Sequence, residues 1–471
     1  MEKSLKRGAE AAVDSCAQSL RNKLMFAASA GILALAAPGG IYGTRAEAQS
    51  IPTECDDPLG TGTNNGNGDA DDGETIECIS DPTGNAIGPI NTTTADLTLV
   101  IGETGAGAGA TLVGGSGETA TAISMTGSGT QTLQILDGGE VSNAATPTIE
   151  VSTDGSLSLL NEGAIRNLNR GRSSDAQVTA GNGDLEINSE YGTIDGQVFV
   201  RNSGSGTTDL TLGAITSTGG VPAVNFAAGA GAGDVTIVTT EPVTSANNGI
   251  VASNSGAGDT TIITEALVDA AGFGIILNHD SAGALSLETK GGVRAGGYIG
   301  ILVNALSVVG SDLTLTTQDE VTGQGIGIRV NKDQARNLDL NINSAVTGSL
   351  FDGINLRTEG SSDTINIRGT VSGGDDGIEI VSLNNSVGNT TVRGYENPAG
   401  ELYGHIEGAN SGIEIDSQSG SSATRSILIE NLASVRGGAS AGIFARSSGY
   451  SNLGSGGTIT IQNIDEVASY L

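Results

Sequence analysis

Three kinds of side chain in this sequence have types suited to chemistry. Asp375-Asp376 is a carboxylate pair, and Gly404-His405-Ile406 carries one of only two histidines. Carboxylates and an imidazole gathered on one face are the parts of general acid–base cleavage. Each also has a plainer reading. Asp375-Asp376-Gly377 reads as a polar corner before a strand, His405 falls in a long inserted loop, and His279, after Asn278, reads as a surface turn.

The second kind is thiol and oxygen ligands. Cys55 and Cys78 bracket an acidic stretch holding Asn65, Asn67, Asp69, Asp71 and Asp72. Alternating oxygens of this sort surround calcium in ligand loops. With Asn67 first, however, Asp72 stands where glycine is needed and Cys78 where a bidentate Glu is needed. The stretch therefore reads as a solvated, turn-rich acidic segment. No His/Cys/carboxylate group has metal-ligand spacing, and neither a Gly-x-Ser-x-Gly elbow nor a Walker-type Gly-Lys-Ser/Thr occurs. Strings such as Gly105-Ala-Gly107-Ala-Gly109 are corners in a glycine-rich chain. No metal, cofactor or catalytic residue is expected.

The third kind is aromatic. There is no Trp, and of seven Tyr, Tyr395, Tyr403 and Tyr450 lie near the longer loops. A small carbohydrate-binding patch belongs there if anywhere, since loops on a rigid scaffold carry function.

The elements that must position these residues follow from the composition. The chain has 471 residues, 74 of them Gly, and a formal charge of −32. Asp and Glu outnumber Lys and Arg by 53 to 21, which excludes a nucleic-acid partner. Abundant Gly, Ser, Thr and Asn disfavour helix, while patterned Val, Ile and Leu disfavour disorder.

The first 48 residues read as an export signal. Lys3, Lys6, Arg7, Arg21 and Lys23 precede the apolar run 24–37, and Ala46-Glu47-Ala48 precedes Gln49. This predicts cleavage between Ala48 and Gln49. The run is about 21 Å long as a helix, too short for a ~30 Å hydrocarbon core. Cleavage would leave a net charge of −34. Two cysteines then remain, and an oxidising compartment predicts a Cys55–Cys78 disulfide. Residues 49–95 form an acidic, Gly/Asn-rich segment.

From residue 96 the chain repeats. Gly-Ile recurs at Gly249, Gly274, Gly300, Gly327, Gly353, Gly377, Gly412 and Gly442, at spacings of 25, 26, 27, 26, 24, 35 and 30 residues. A second alternating run follows each marker, as in Leu285-Ser-Leu287 and Thr364-Ile-Asn-Ile367, and then a short element centred on a residue such as Val268, Val293, Val321 or Val346. Weaker copies precede them, among them Ile149-Glu-Val151 and Val224-Asn-Phe226. A period of about 26 residues with three short strands is a solenoid signature. The predicted fold is all-β: a parallel β-helix over residues 96–471, right-handed by the crossover rule. Gly before Ile is expected to supply a positive φ or a tight corner.

A long-n-region signal, a short acidic Cys-bounded segment and Gly-Ile-rich coils together resemble the passenger region of a bacterial autotransporter. The resemblance implies export by a Gram-negative bacterium, an outer-membrane translocator barrel as partner, and display at the cell surface or release. The barrel's amphipathic strands are not found here, since the repeat runs to Ile459-Thr-Ile461. Parallel β-helices also include polygalacturonases and pectate lyases. Asp375-Asp376 with Gly404-His405-Ile406 resembles the Asp-Asp and Gly-His-Gly elements of polygalacturonases, but their Asn-x-Asp and Arg-x-Lys elements have no match. The sequence thus favours a non-catalytic adhesin or spacer, facing a cell surface, extracellular matrix or polysaccharide, over a polysaccharide-active enzyme.

Overall fold

A computed structural model describes residues 55–56, 73–78, 90–102, 111–113, 121–143, 147–167, 174–306, 312–332, 336–359, 362–382, 388–419, 426–449 and 457–469. The chain divides between Ala48 and Gln49 into two units, and the first lies outside the described residues. The second is a parallel β-solenoid of about 26 residues per coil, with no helix among the described residues.

Its strands fall into two sheets. The first strand of every coil, from Ile90–Thr92 to Ile443–Gly449, joins one 14-stranded parallel sheet. At a strand spacing of about 4.8 Å such a ladder spans about 60 Å. The second and third strands of the coils build a 26-stranded sheet that bends between them. The ladder starts earlier than the sequence suggests. Glu74–Cys78 already pairs in parallel with Leu97–Ile101, inside the segment 49–95.

The register is what the repeat demands. Ile250, Ile275, Ile301, Ile328, Ile354, Ile378, Ile413 and Ile443 are successive partners along one ladder. Ile262, Leu287, Leu315, Leu340, Ile365, Val392 and Ile429 form a second column. Val268, Val293, Val321, Val346, Val371, Ile406 and Val435 form a third. All three belong to one continuous buried cluster running from Ile76 to Val435, against whose end the half-buried Ile443 packs. Alternate strand positions face outward, because side chains in a strand point to opposite faces in turn.

The marker glycine works differently from the expectation. None of the eight has positive φ. Instead, a Cβ on Gly274 would lie 2.4 Å from Val293 Cγ1, and one on Gly327 would lie 2.7 Å from Val346 Cγ1. The same clash, between 2.5 and 2.9 Å, recurs at the other six against the third-strand Val or Ile of the same coil. The glycine column exists to let the valine column in. The left-handed corners belong to other residues. Asn431 (φ 56°) and Asn463 (φ 50°) bend the long strands Ile427–Gly437 and Ile459–Ser469, and Asn463 Nδ2 donates to Asn431 Oδ1 at 2.6 Å.

Where the first strand ends, an inward polar residue closes the turn. Asn202 donates to the Gly206 carbonyl and Asn254 to that of Gly258, each four residues on. His279 does the same for Gly283 and Lys332 for Arg336. One geometric position thus takes three residue types, each chosen by what it can donate.

Candidate functional site

The long interval between Gly377 and Gly412 holds the feature that departs most from the coil plan. Strand Thr390–Gly394 leads into an excursion that returns at Gly404 and continues as strand His405–Gly408. The excursion is a hairpin with an antiparallel Glu396–Leu402 bridge. Tyr403 N donates to the Tyr395 carbonyl at 2.8 Å and Asn397 N to the Glu401 carbonyl at 3.0 Å. Asn397 closes the tip. Its Oδ1 accepts from the backbone N–H of Ala399 and Glu401, both at 2.9 Å, and its Nδ2 donates to Glu401 Oε2 at 2.8 Å. Asn side chains suit such turns because they mimic a backbone acceptor. Gly400 (φ 82°) and Gly404 (φ 93°) supply the left-handed positions that a β-carbon would strain.

This frame presents two tyrosines. The Tyr395 and Tyr403 rings lie 6.0 Å apart between centroids, tilted by 48°, and are 40% and 41% exposed. Arg368, from the preceding coil, places its guanidinium carbon 4.4 Å from the Tyr395 ring centre, a cation–π contact. Glu396 and Glu401 of the hairpin are exposed, as are Arg393 and His405 in the strands that flank it in the chain. The sequence placed Tyr395 and Tyr403 near a loop but not Arg368, whose only signal is its position about one coil upstream. Tyr450 lies outside the described residues.

His405 is part of a strand rather than of the loop, a correction to the sequence reading. It pairs with Thr370 and Ser434 in the third-strand ladder, with Nδ1 2.9 Å from Ser434 Oγ. The loop ends one residue earlier because the ladder resumes there. Asp375 and Asp376 follow Gly373, at the opposite end of the strand whose Thr370 faces His405. The register therefore keeps the imidazole away from the carboxylates.

Asp352, Asp375 and Asp376 do converge, with one carboxylate oxygen of each within 4.8 Å of the others. The sequence missed Asp352, which stands before Gly353 as Asp376 stands before Gly377. Asp352 Oδ1 accepts from Asp376 N at 3.3 Å, and its Oδ2 accepts from Asn355 Nδ2 at 2.7 Å. Asp376 Oδ1 accepts from Ser411 N at 2.8 Å and Asn410 Nδ2 at 3.1 Å. These carboxylates brace one corner to the next, the polar-corner role expected of Asp375-Asp376-Gly377.

His279 is a second correction. It is 1% exposed, not at a surface turn, because the end of its strand points inward. Its Nε2 lies 2.9 Å from the Gly283 carbonyl and so donates, which leaves Nδ1 to accept from Thr260 Oγ1 at 3.4 Å. Burial lowers its pKa, the Gly283 bond partly opposes this, and nearby Arg336 adds to the lowering. Two coils along, the same interior corner holds an ion pair, Lys332 Nζ to Asp363 Oδ1 at 2.8 Å, with both side chains fully buried. Arg336, also fully buried, donates to the Ser281 and Gly283 carbonyls. Its pKa too is lowered by burial.

Cys78 is fully buried and disulfide-bonded, and the backbone of Cys55 lies directly opposite it in the antiparallel pair of Cys55–Asp56 with Glu74–Cys78. Ala48, Gln49 and the acidic stretch 57–72 lie outside the described residues. No family model, curated protein or solved structure matches this chain.

Proposed function

We propose that this chain is an exported, non-catalytic rod of the autotransporter-passenger type, displayed at the cell surface or secreted as an adhesin or spacer. The observation that carries the reading is the disulfide-bonded Cys78 at the start of the parallel ladder. Disulfides persist in oxidising compartments, so this bond fits a chain that leaves the cytoplasm by its N-terminal signal. The continuous ladder from Glu74–Cys78 to Ile459–Ser469 supports a spacer role, because each coil buries its columns against its neighbours. Passage to the outside calls for an outer-membrane barrel as partner. A strongly acidic surface repels DNA and anionic membranes.

The test is expression of residues 1–471 in a Gram-negative host, followed by fractionation, N-terminal sequencing and thiol alkylation. The expected product begins at Gln49, leaves the cytoplasm, and has cysteines that alkylate only after reduction. An uncleaved, reduced, cytoplasmic product would overturn the proposal.

A further inference from the structure

We infer that the hairpin between Gly394 and Gly404 is a carbohydrate-binding site, taking a pyranose unit of a neutral glycan against Tyr395 and Tyr403. The argument starts from what the hairpin does not do. Aromatics are 3% of this chain, and these two are spent on the surface, outside the continuous core. Tyrosine ordinarily contributes by burying a large apolar area. Here both rings are held in place while the two residues stay 40% and 41% exposed.

They are also pre-organised. Arg368 covers part of Tyr395, and Asn397 Nδ2 reaches Tyr403 Oη at 3.4 Å. The hairpin base is tied, since Tyr403 N donates to the Tyr395 carbonyl at 2.8 Å and Glu396 bridges Leu402. Rigid placement of contact groups lowers the ordering cost of binding.

The surrounding chemistry selects the ligand. Polar groups accompany the rings: the Arg368 guanidinium on Tyr395, Asn397, whose Nδ2 reaches Tyr403 Oη and Glu401 Oε2, and the exposed Glu396 of the same hairpin. A pyranose offers the complement: an apolar face of C–H bonds for a ring, and an edge of paired hydroxyls for carboxylates, amides and guanidinium. An apolar peptide would find only the small Pro398 and Ala399 exposed as aliphatic surface on the hairpin, where Leu402 is half-buried. Polyanions are disfavoured by the net charge of −32. A neutral glycan is the class that meets all three conditions.

The exported-rod reading says only where such a glycan would be met. Binding is measured on purified chain, so failure of export and failure of binding are separate results. The probe is an array of defined oligosaccharides, neutral (gluco-, galacto-, manno- and chito-oligomers) and acidic (uronate and sulfated), followed by titration of the best-retained one. Saturation-transfer NMR then reads contact between tyrosine ring protons and sugar C–H protons. We expect retention of a neutral oligosaccharide, ring-to-sugar transfer in the unmodified protein, and binding at least tenfold weaker in Tyr395→Ala and Tyr403→Ala. Tyr191→Ala, at a tyrosine 75% exposed elsewhere on the rod, should bind as the unmodified chain does. Retention of no neutral oligosaccharide overturns the proposal. So does retention of acidic sugars alone, equal binding by Tyr395→Ala and Tyr191→Ala, or the absence of ring-to-sugar transfer, and the last needs no variant to fold.

Discussion

Gly274 and Val293 are complementary halves of one contact. A β-carbon on Gly274 would lie 2.4 Å from Val293 Cγ1 and 2.5 Å from the Gly300 carbonyl oxygen, closer than real side chains come. The glycine admits the branched valine that closes the core at that corner, and the relationship is repeated up the ladder.

Gly274→Ala should therefore destabilise the protein by about 1–3 kcal/mol, the usual cost of forcing an extra carbon into a packed site. Val293→Ala in the same chain should recover part of the loss, because the two sites share one contact. Gly220→Ala, where a Cβ meets nothing within 4 Å, should be neutral or slightly stabilising. Urea unfolding of the two single variants and the double variant checks this.

His279 predicts a pH dependence. Its folded pKa is lowered, chiefly by burial, so the unfolded chain binds the proton more readily. The contribution is fully present above the unfolded value of about 6.5 and is lost as pH falls below it. His279→Asn should flatten this part of the profile while keeping the bond to Gly283, as Asn254 does for Gly258 one coil earlier. Melting temperatures of both proteins between pH 5 and 8 give the comparison.

The buried Lys332–Asp363 pair should be costly to break and cheap to replace. Asp363→Ala leaves the buried ammonium without that carboxylate, a loss of about 3–5 kcal/mol. Lys332→Ala with Asp363→Leu matches the ladder neighbours Ala305 and Leu338 and should cost less than the single change. Chemical denaturation of the two variants decides between these outcomes.

Peptide mapping without reduction should recover Cys55 and Cys78 in one linked fragment. Reduction should loosen the first coils and leave the middle of the ladder protected, since each coil contacts only its neighbours. Hydrogen exchange resolved along the chain would show this gradient.

Much of the fold was legible because the repeat is written in the residues that make it. Ile250, Ile275 and Ile301 occur about 26 residues apart, and a strand buried on one face has to stack equals on equals. The glycine before each isoleucine was also visible, but not its reason: its φ is ordinary, and its constraint comes from the valine or isoleucine of the third strand of its own coil, some twenty to thirty residues on.

What the sequence alone determined is the set of columns: periodic aliphatic residues at three strands per coil, and with them an all-β parallel solenoid. What only the tertiary structure decided is the fate of polar side chains. His279 reads as a surface residue until the end of its strand is seen to point inward, where it, like Lys332 at the same position two coils along, finds the carbonyl four residues on. Arg368 and Tyr395, or Asp352 and Asp376, meet because one coil sets them side by side. Apolar burial is non-directional and shows in composition and period. A hydrogen bond or a ring contact needs a particular partner at a particular distance, and that is known only once the coils are stacked.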